Sequence, residues 1–170
     1  FRWIAPVLMD WSDKPAPTRV LIAEDAFDLV DDDVRDALGP AIARVEALFG
    51  AAKPIRPSER AGLAGGFPQW QQAMQVTRGS EAAASHLAWI RATNPEMGPH
   101  FRERFEAGGD YGPTDIADAM SKRAMIDGYM AGTLGDDAIL LVPAAPAAAP
   151  LAREPEDVYD HLRTRNELYN

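Results

Sequence analysis

Two apolar runs of strand length, Thr18–Ala23 and Ala138–Val142, stand at opposite ends of a long stretch of helical patterning, and they govern what this chain can fold into. Val20, Leu21 and Ile22 are the side chains favoured in a buried strand. Pro17 precedes them without removing a ladder donor. The second run stops at Pro143. A third candidate, centred on Ile55 within Lys53–Pro57, is confined by its prolines to an edge or an irregular segment. So few strands cannot cover several amphipathic helices, so either the helices cover one another or further sheet partners lie elsewhere in a larger polypeptide. The expected class is α/β, a helix-rich, partial, mixed-sheet unit. No internal repeat divides it; residues 1–17 read as a leading helix or linker and residues 18–170 as the domain.

The helical stretches follow from periodicity. Asp31, Asp32 and Asp33 suit a helix N-terminus, where unpaired amides and the dipole favour anions. Val34, Leu38, Ile42, Val45 and Phe49 then recur every three or four residues. Gly39-Pro40 predicts a kink or split in that helix, and Gly50 a C-cap. Pro68–Asn94 is helical in pattern with a predicted break near Gly79-Ser80, Ser80 capping the second piece, and Leu87 and Ile90 on one face. Asn94-Pro95 resembles a cap followed by proline at the first helical position. Phe101 and Phe105 continue an i, i+4 spacing that Gly108 and Gly109 stop. Thr114 is the expected cap of a further helix with Ile116, Met120 and Ala124 as its stripe, ended by Gly132 and Gly135. Glu154–Leu168 returns to a helical pattern.

Composition removes several functions. With 26 acidic against 17 basic residues the net charge is -9, which repels phosphate backbones and anionic lipid. Nucleic acid and membrane are therefore not expected partners, and no apolar run reaches the roughly 20 residues of a membrane span. There are 0 cysteines, so disulfides, thiol nucleophiles and thiolate metal sites are absent. Neither feature selects a compartment, and a cytoplasmic setting is the default. The chain opens on Phe1 rather than Met, which reads as a processed, trimmed or partial chain.

Local motifs offer little chemistry of their own. The glycine-rich stretch Ala61–Phe67 lacks the lysine and hydroxyl of a phosphate-binding loop. His86, His100 and His161 form no H-x-x-x-H pair, so no metal site and no cofactor are expected. Three adjacent aspartates on a helix do not converge on one cation. The serines, Ser12, Ser58, Ser80, Ser85 and Ser121, form no G-x-S-x-G elbow, and Ser121 and Lys122 would point about 100 degrees apart on a helix. A site assembled from His86, Arg102 and an acid is the alternative a catalytic reading would use, with packing and surface roles the simpler account of each.

The order of several segments is similar to that of the amidase signature family. They are P-A-P-T-R-V-L-I-A-E-D at Pro15–Asp25, D-x-V-x-x-A-L at Asp32–Leu38, and H-L-A-W-I at His86–Ile90. N-P-E-M-G-P-H-F-R-E-R at Asn94–Arg104, D-A-I-L-L-V-P-A-A-P-A-A-A-P at Asp137–Pro150 and L-R-T-R at Leu162–Arg165 follow in the same order. The pattern most resembles the plant indole-acetamide hydrolase branch and its bacterial relatives. The resemblance implies a large mixed α/β fold and hydrolysis of carboxamides through a Ser-cisSer-Lys triad and an acyl-enzyme. That triad belongs to an upstream, glycine- and serine-rich half, and none of its positions maps onto the serines or onto Lys14, Lys53 and Lys122. Pro143-Ala144-Ala145-Pro146 also departs from the P-T-x-P-like form common there.

The resemblance thus implies a downstream portion of a serine amidase: scaffold and substrate entrance, without the catalytic triad. It puts Trp70, Trp89, Phe101 and Phe105 forward as substrate-entrance candidates, each of which core packing would also explain. The implied partners are a small carboxamide in the complete enzyme and the missing amidase segment, or a homo-oligomer. A noncatalytic small-amide-binding or assembly domain derived from an amidase is the competing reading.

Overall fold

The computed structural model describes residues 16–98, 100–151, 161 and 165. Residues 1–15 of the predicted leading segment 1–17, and most of the helical pattern at Glu154–Leu168, lie outside them. Three strands, β1 (Arg19–Ala23), β2 (Lys53–Ile55) and β3 (Ala138–Leu141), form one sheet in the order β2-β1-β3. Every pairing is parallel, with Leu21 opposite Lys53 on one side and opposite Leu140 on the other. Parallel neighbours require long crossovers. One carries α1 (Glu24–Phe27) and α2 (Asp32–Phe49); the other carries α3 (Pro57–Arg60), α4 (Phe67–Thr93), α5 (Phe101–Gly109) and α6 (Pro113–Leu134).

The central strand is the best buried: Val20, Leu21 and Ala23 are 2%, 3% and 1% exposed. Lys53–Ile55 lies at an edge, as its proline content predicts. The five residues of the α2 stripe, Val34, Leu38, Ile42, Val45 and Phe49, are all half-buried, although the helix buries none of its residues fully. Pro40 does not split α2, which runs unbroken to its Gly50 cap at φ 97. The helix is exposed around Pro40, so solvent can meet the carbonyl that lost its N–H partner, and Gly39 brings no Cβ against the proline ring.

The second core lies between helices. Ala73 and Val76 of α4 pack on Ala119 of α6, with Tyr111 and Ile116 against them. Ala83, Leu87 and Ile90 are buried further along α4. The predicted break at Gly79-Ser80 is absent. Instead, α5 runs antiparallel to α4 so closely that a Cβ on Gly108 would overlap the Gly79 carbonyl. A Cβ on Gly79 would come 3.1 Å from the Tyr111 ring and 3.5 Å from the Gly108 Cα, and Ser80 donates to the Thr77 carbonyl rather than capping.

Asn94 closes α4 instead of opening the next helix. It takes the left-handed conformation (φ 44, ψ 53), which asparagine tolerates, and its N–H bonds the Ile90 carbonyl. At α6 the cap is Gly112, not Thr114; the Asp115 carboxylate accepts the Gly112 N–H at 2.9 Å, and Pro113 fills the first helical position. Gly135 ends α6 while Gly132 lies inside it. The α6 stripe is also rephased: Ile116 and Ala119 face inward, while Met120 is 61% exposed and Ala124 is exposed.

Candidate functional site

Two ends of the sheet must be distinguished, because ligands of open α/β sheets gather beyond the carboxyl ends of the strands. At the amino ends, Asp137 ties three elements together. Its carboxylate accepts Thr18 Oγ1 at 2.8 Å and Arg19 Nε at 3.0 Å, and Arg19 Nη2 reaches the Leu134 carbonyl at 3.0 Å. Arg19 thereby joins β1 to β3 and supplies positive charge at the C-terminus of α6. Its guanidinium and the Thr18 hydroxyl hold the Asp137 carboxyl down at about 2. A cavity of about 360 Å³ opens here between β1, Phe49, Lys53 and Thr133, at the end of the sheet opposite to where such folds take ligands.

The carboxyl ends are stitched by different groups. Asp25, 6% exposed, accepts the Ala26 N–H at 3.0 Å and the Ser58 N–H at 2.7 Å, linking the start of α1 to the start of α3. Arg56 pairs with Asp28 and Glu59 over the same region. After β3 the chain returns to this end: the buried Pro146 gives its carbonyl to the Asp31 N–H at 2.8 Å. Arg165 then donates to both Asp31 oxygens, at 2.7 and 3.2 Å, and to the Leu29 carbonyl. The Arg165 hydrogen bond lowers the Asp31 pKa. The last motif residue of L-R-T-R thus fastens the loop that precedes α2.

The four aromatic candidates do not form one cluster. Trp70 sits in the first turns of α4 with its ring edge-on to Phe67 at 5.5 Å, and its indole Nε1 is buried without a hydrogen-bond partner among the described residues. Trp89 lies 19 residues along the same unbroken helix, so at about 1.5 Å per residue the two are roughly 28 Å apart. Trp89 is 56% exposed and Phe101, at the start of α5, 55%. The antiparallel packing sets both at the same end of the α4–α5 pair. Phe105, one turn further on, is half-buried and meets the His86 ring edge-on at 5.8 Å.

His86 and Arg102 serve this same helical pair by separate contacts. Arg102 is spent on the turn before α5, donating to Asn94 Oδ1 at 2.9 Å and to the Pro95 carbonyl at 3.2 Å. Arg91 and Glu106 bridge the two helices, and that hydrogen bond lowers the Glu106 pKa. Hydroxyls behave alike: Ser80 and Ser85 donate to carbonyls of their own helix. Lys122 pairs with Asp118 at 2.8 Å and reaches Gln69. No hydrogen bond joins a serine to a lysine or histidine side chain among the described residues. Within the same residues no group of three or more histidine and acidic side chains is placed to hold a metal ion, and no helix is long and apolar enough to cross a membrane.

The sequence signal for Asp25, Asp137 and Arg165 was weak because each works across a distance in sequence. Asp137 lies 118 residues from Arg19, and Arg165 lies 134 from Asp31. The quoted segments at Pro15–Asp25, Asp137–Pro150 and Leu162–Arg165 do contain them, so order along the chain was the available signal.

The arrangement of strands and helices has a counterpart among solved structures. An amidase crystal structure overlays 92% of this chain with a TM-score of 0.61 at 19% identity. The fold is that of part of an amidase. In sequence, Amidase 1 of Arabidopsis thaliana is 22% identical over 173 residues, covering 88% of this chain. The chain spans 41% of that relative and 37% of the solved amidase. No family model matches it. The α/β, helix-rich partial unit expected from the sequence is the one observed.

Proposed function

We propose that these residues are the scaffold and substrate-entrance portion of a serine amidase that hydrolyses carboxamides to a carboxylate and ammonia or an amine. The nucleophile and its proton relay come from a segment other than this one. The observation that carries the reading is the amidase-like fold extending over 92% of the chain, while the Ser80 and Ser85 hydroxyls are both turned onto carbonyls of their own helix, α4. Attack on an amide carbonyl needs a hydroxyl whose proton can pass to a neighbouring base.

Within this reading the exposed aromatic end formed by Trp89 and Phe101, with Phe105 and His86 beside it, is the wall a substrate passes. Trp70 marks a separate contact at the other end of α4. Apolar rings at a site mouth take up the acyl side of a small carboxamide and exclude water from it. The indole-acetamide hydrolase branch remains the reading of choice for the subgroup, supported by the order of the quoted segments.

The test is turnover by the purified 170-residue chain on a panel of small carboxamides, followed by ammonia release. The expected result is no hydrolysis above a blank. Saturable hydrolysis that survives stringent purification would overturn the proposal. Carboxamide binding without turnover, retained when the uninterrupted reading frame is expressed, would favour the noncatalytic binding domain instead.

A further inference from the structure

The carboxyl ends of β1 and β3 lie at one end of the sheet, because the two strands are parallel neighbours. That is the end where open α/β sheets take their ligands. The loop that leaves β3 there has a restricted composition: in residues 143–150 every residue is proline or alanine. None of its side chains can donate or accept a hydrogen bond. Pro143 and Pro146 are buried and anchor it, while Ala144, Ala148 and Ala149 are exposed. Among the described residues, residues 143–150 are tied to the rest of the fold by one backbone hydrogen bond, from the Asp31 N–H to the Pro146 carbonyl at 2.8 Å. Asp31 is itself held in place. Arg165 donates to both of its carboxylate oxygens, at 2.7 and 3.2 Å, and to the Leu29 carbonyl at 3.1 Å. Arg35 donates to the Phe27 carbonyl at 2.8 Å. Two guanidiniums therefore fix the turn before α2, and that turn fixes the loop.

We infer that Arg165 is a positioning residue: through Asp31 it sets where residues 143–150 stand at the mouth of the site. The loop so held is an apolar wall that favours carboxamides with an apolar acyl group over near-isosteres carrying a hydroxyl. A hydroxyl pressed against that wall leaves water and finds no side chain to bond. The inference rests on the reading that the chain is part of a serine amidase. It deepens that reading by naming the substrate class and the group that holds the wall.

The test uses the product of the uninterrupted reading frame, with phenylacetamide and para-hydroxyphenylacetamide compared by ammonia release. The unmodified product should favour phenylacetamide in kcat/KM by at least about 5-fold. Arg165→Lys keeps the charge but puts a single ammonium where a planar fork held Asp31 and Leu29. It should raise KM for phenylacetamide at least about 5-fold, change kcat less, and shrink the preference. Ala144→Ser leaves those hydrogen bonds intact and should shrink the preference too, by giving the wall a hydroxyl. A purely structural role for Arg165 would lower the active fraction alone, cutting kcat equally for both amides at unchanged KM. That result overturns the inference. So does equal use of the two amides by the unmodified product, or a preference that Ala144→Ser leaves untouched. Each of these outcomes keeps amide turnover, and with it the amidase reading. A product that hydrolyses neither amide rejects the amidase reading and this inference together.

Discussion

Asp137 shows how a single carboxylate can set the acid limb of stability. Its pKa in the fold, about 2, lies below the ordinary 3.8, because Arg19 and Thr18 both donate to the ionised form. A depressed carboxyl stabilises the fold above its unfolded pKa and loses that contribution as pH falls through the folded value. The interval affected therefore runs from about pH 4 down to about pH 2. Denaturation midpoints of Asp137→Asn and the parent should differ most at neutral pH and converge across that interval. A constant difference down to pH 2 would contradict the assignment. Asp25 acts by a different route. It is buried and both oxygens are committed to backbone N–H groups, so Asp25→Ala strands the Ser58 donor. The expected loss is about 1–3 kcal/mol by urea unfolding, with Asp25→Asn recovering part of it.

Helix α4 illustrates what an element reveals in sequence and what it hides. Its apolar face at Leu87 and Ile90 was readable from spacing, and both are buried as expected. Its continuity through Gly79 was not, because what packs against that glycine, Tyr111 and Gly108, lies far along the chain, beyond the reach of local periodicity. Asn94 was ambiguous by chemistry: the same side chain suits an N-cap and a left-handed C-cap. On α6, steps of three and four residues both keep a face; the expected stripe ran through Met120, whereas packing buries Ala119. The strands were legible as elements, whereas the 28 Å gap between aromatic candidates followed only once α4 proved unbroken. The glycine contact gives a sharp comparison. Gly108→Ala should cost about 1–3 kcal/mol or more, since backbone rather than a flexible side chain must move. Gly128→Ala, in the exposed interior of α6 with nothing within 4 Å, should instead stabilise by about 0.5–1 kcal/mol. Equal effects of the two in thermal or urea unfolding would refute the close-approach account.

At the scale of the whole molecule, burial is unevenly shared. The centre of the sheet and the α4–α6 contact are dry, while α2 buries none of its 18 residues and Leu48, Met120 and Met125 stand exposed at 69%, 61% and 47%. Order along the sequence carried the family resemblance, because distant clamps such as Asp31 with Arg165 preserve sequence order while leaving no local pattern. The length of α4 has one more consequence. A rod of 27 residues works as a ruler, holding its two tryptophans too far apart for one small molecule to span. Their energetic contributions should accordingly be independent. The unfolding free-energy changes of Trp70→Ala and Trp89→Ala should sum to that of the double variant within about 0.5 kcal/mol. A larger departure would mean that the helix transmits strain end to end, making it a lever instead of a spacer.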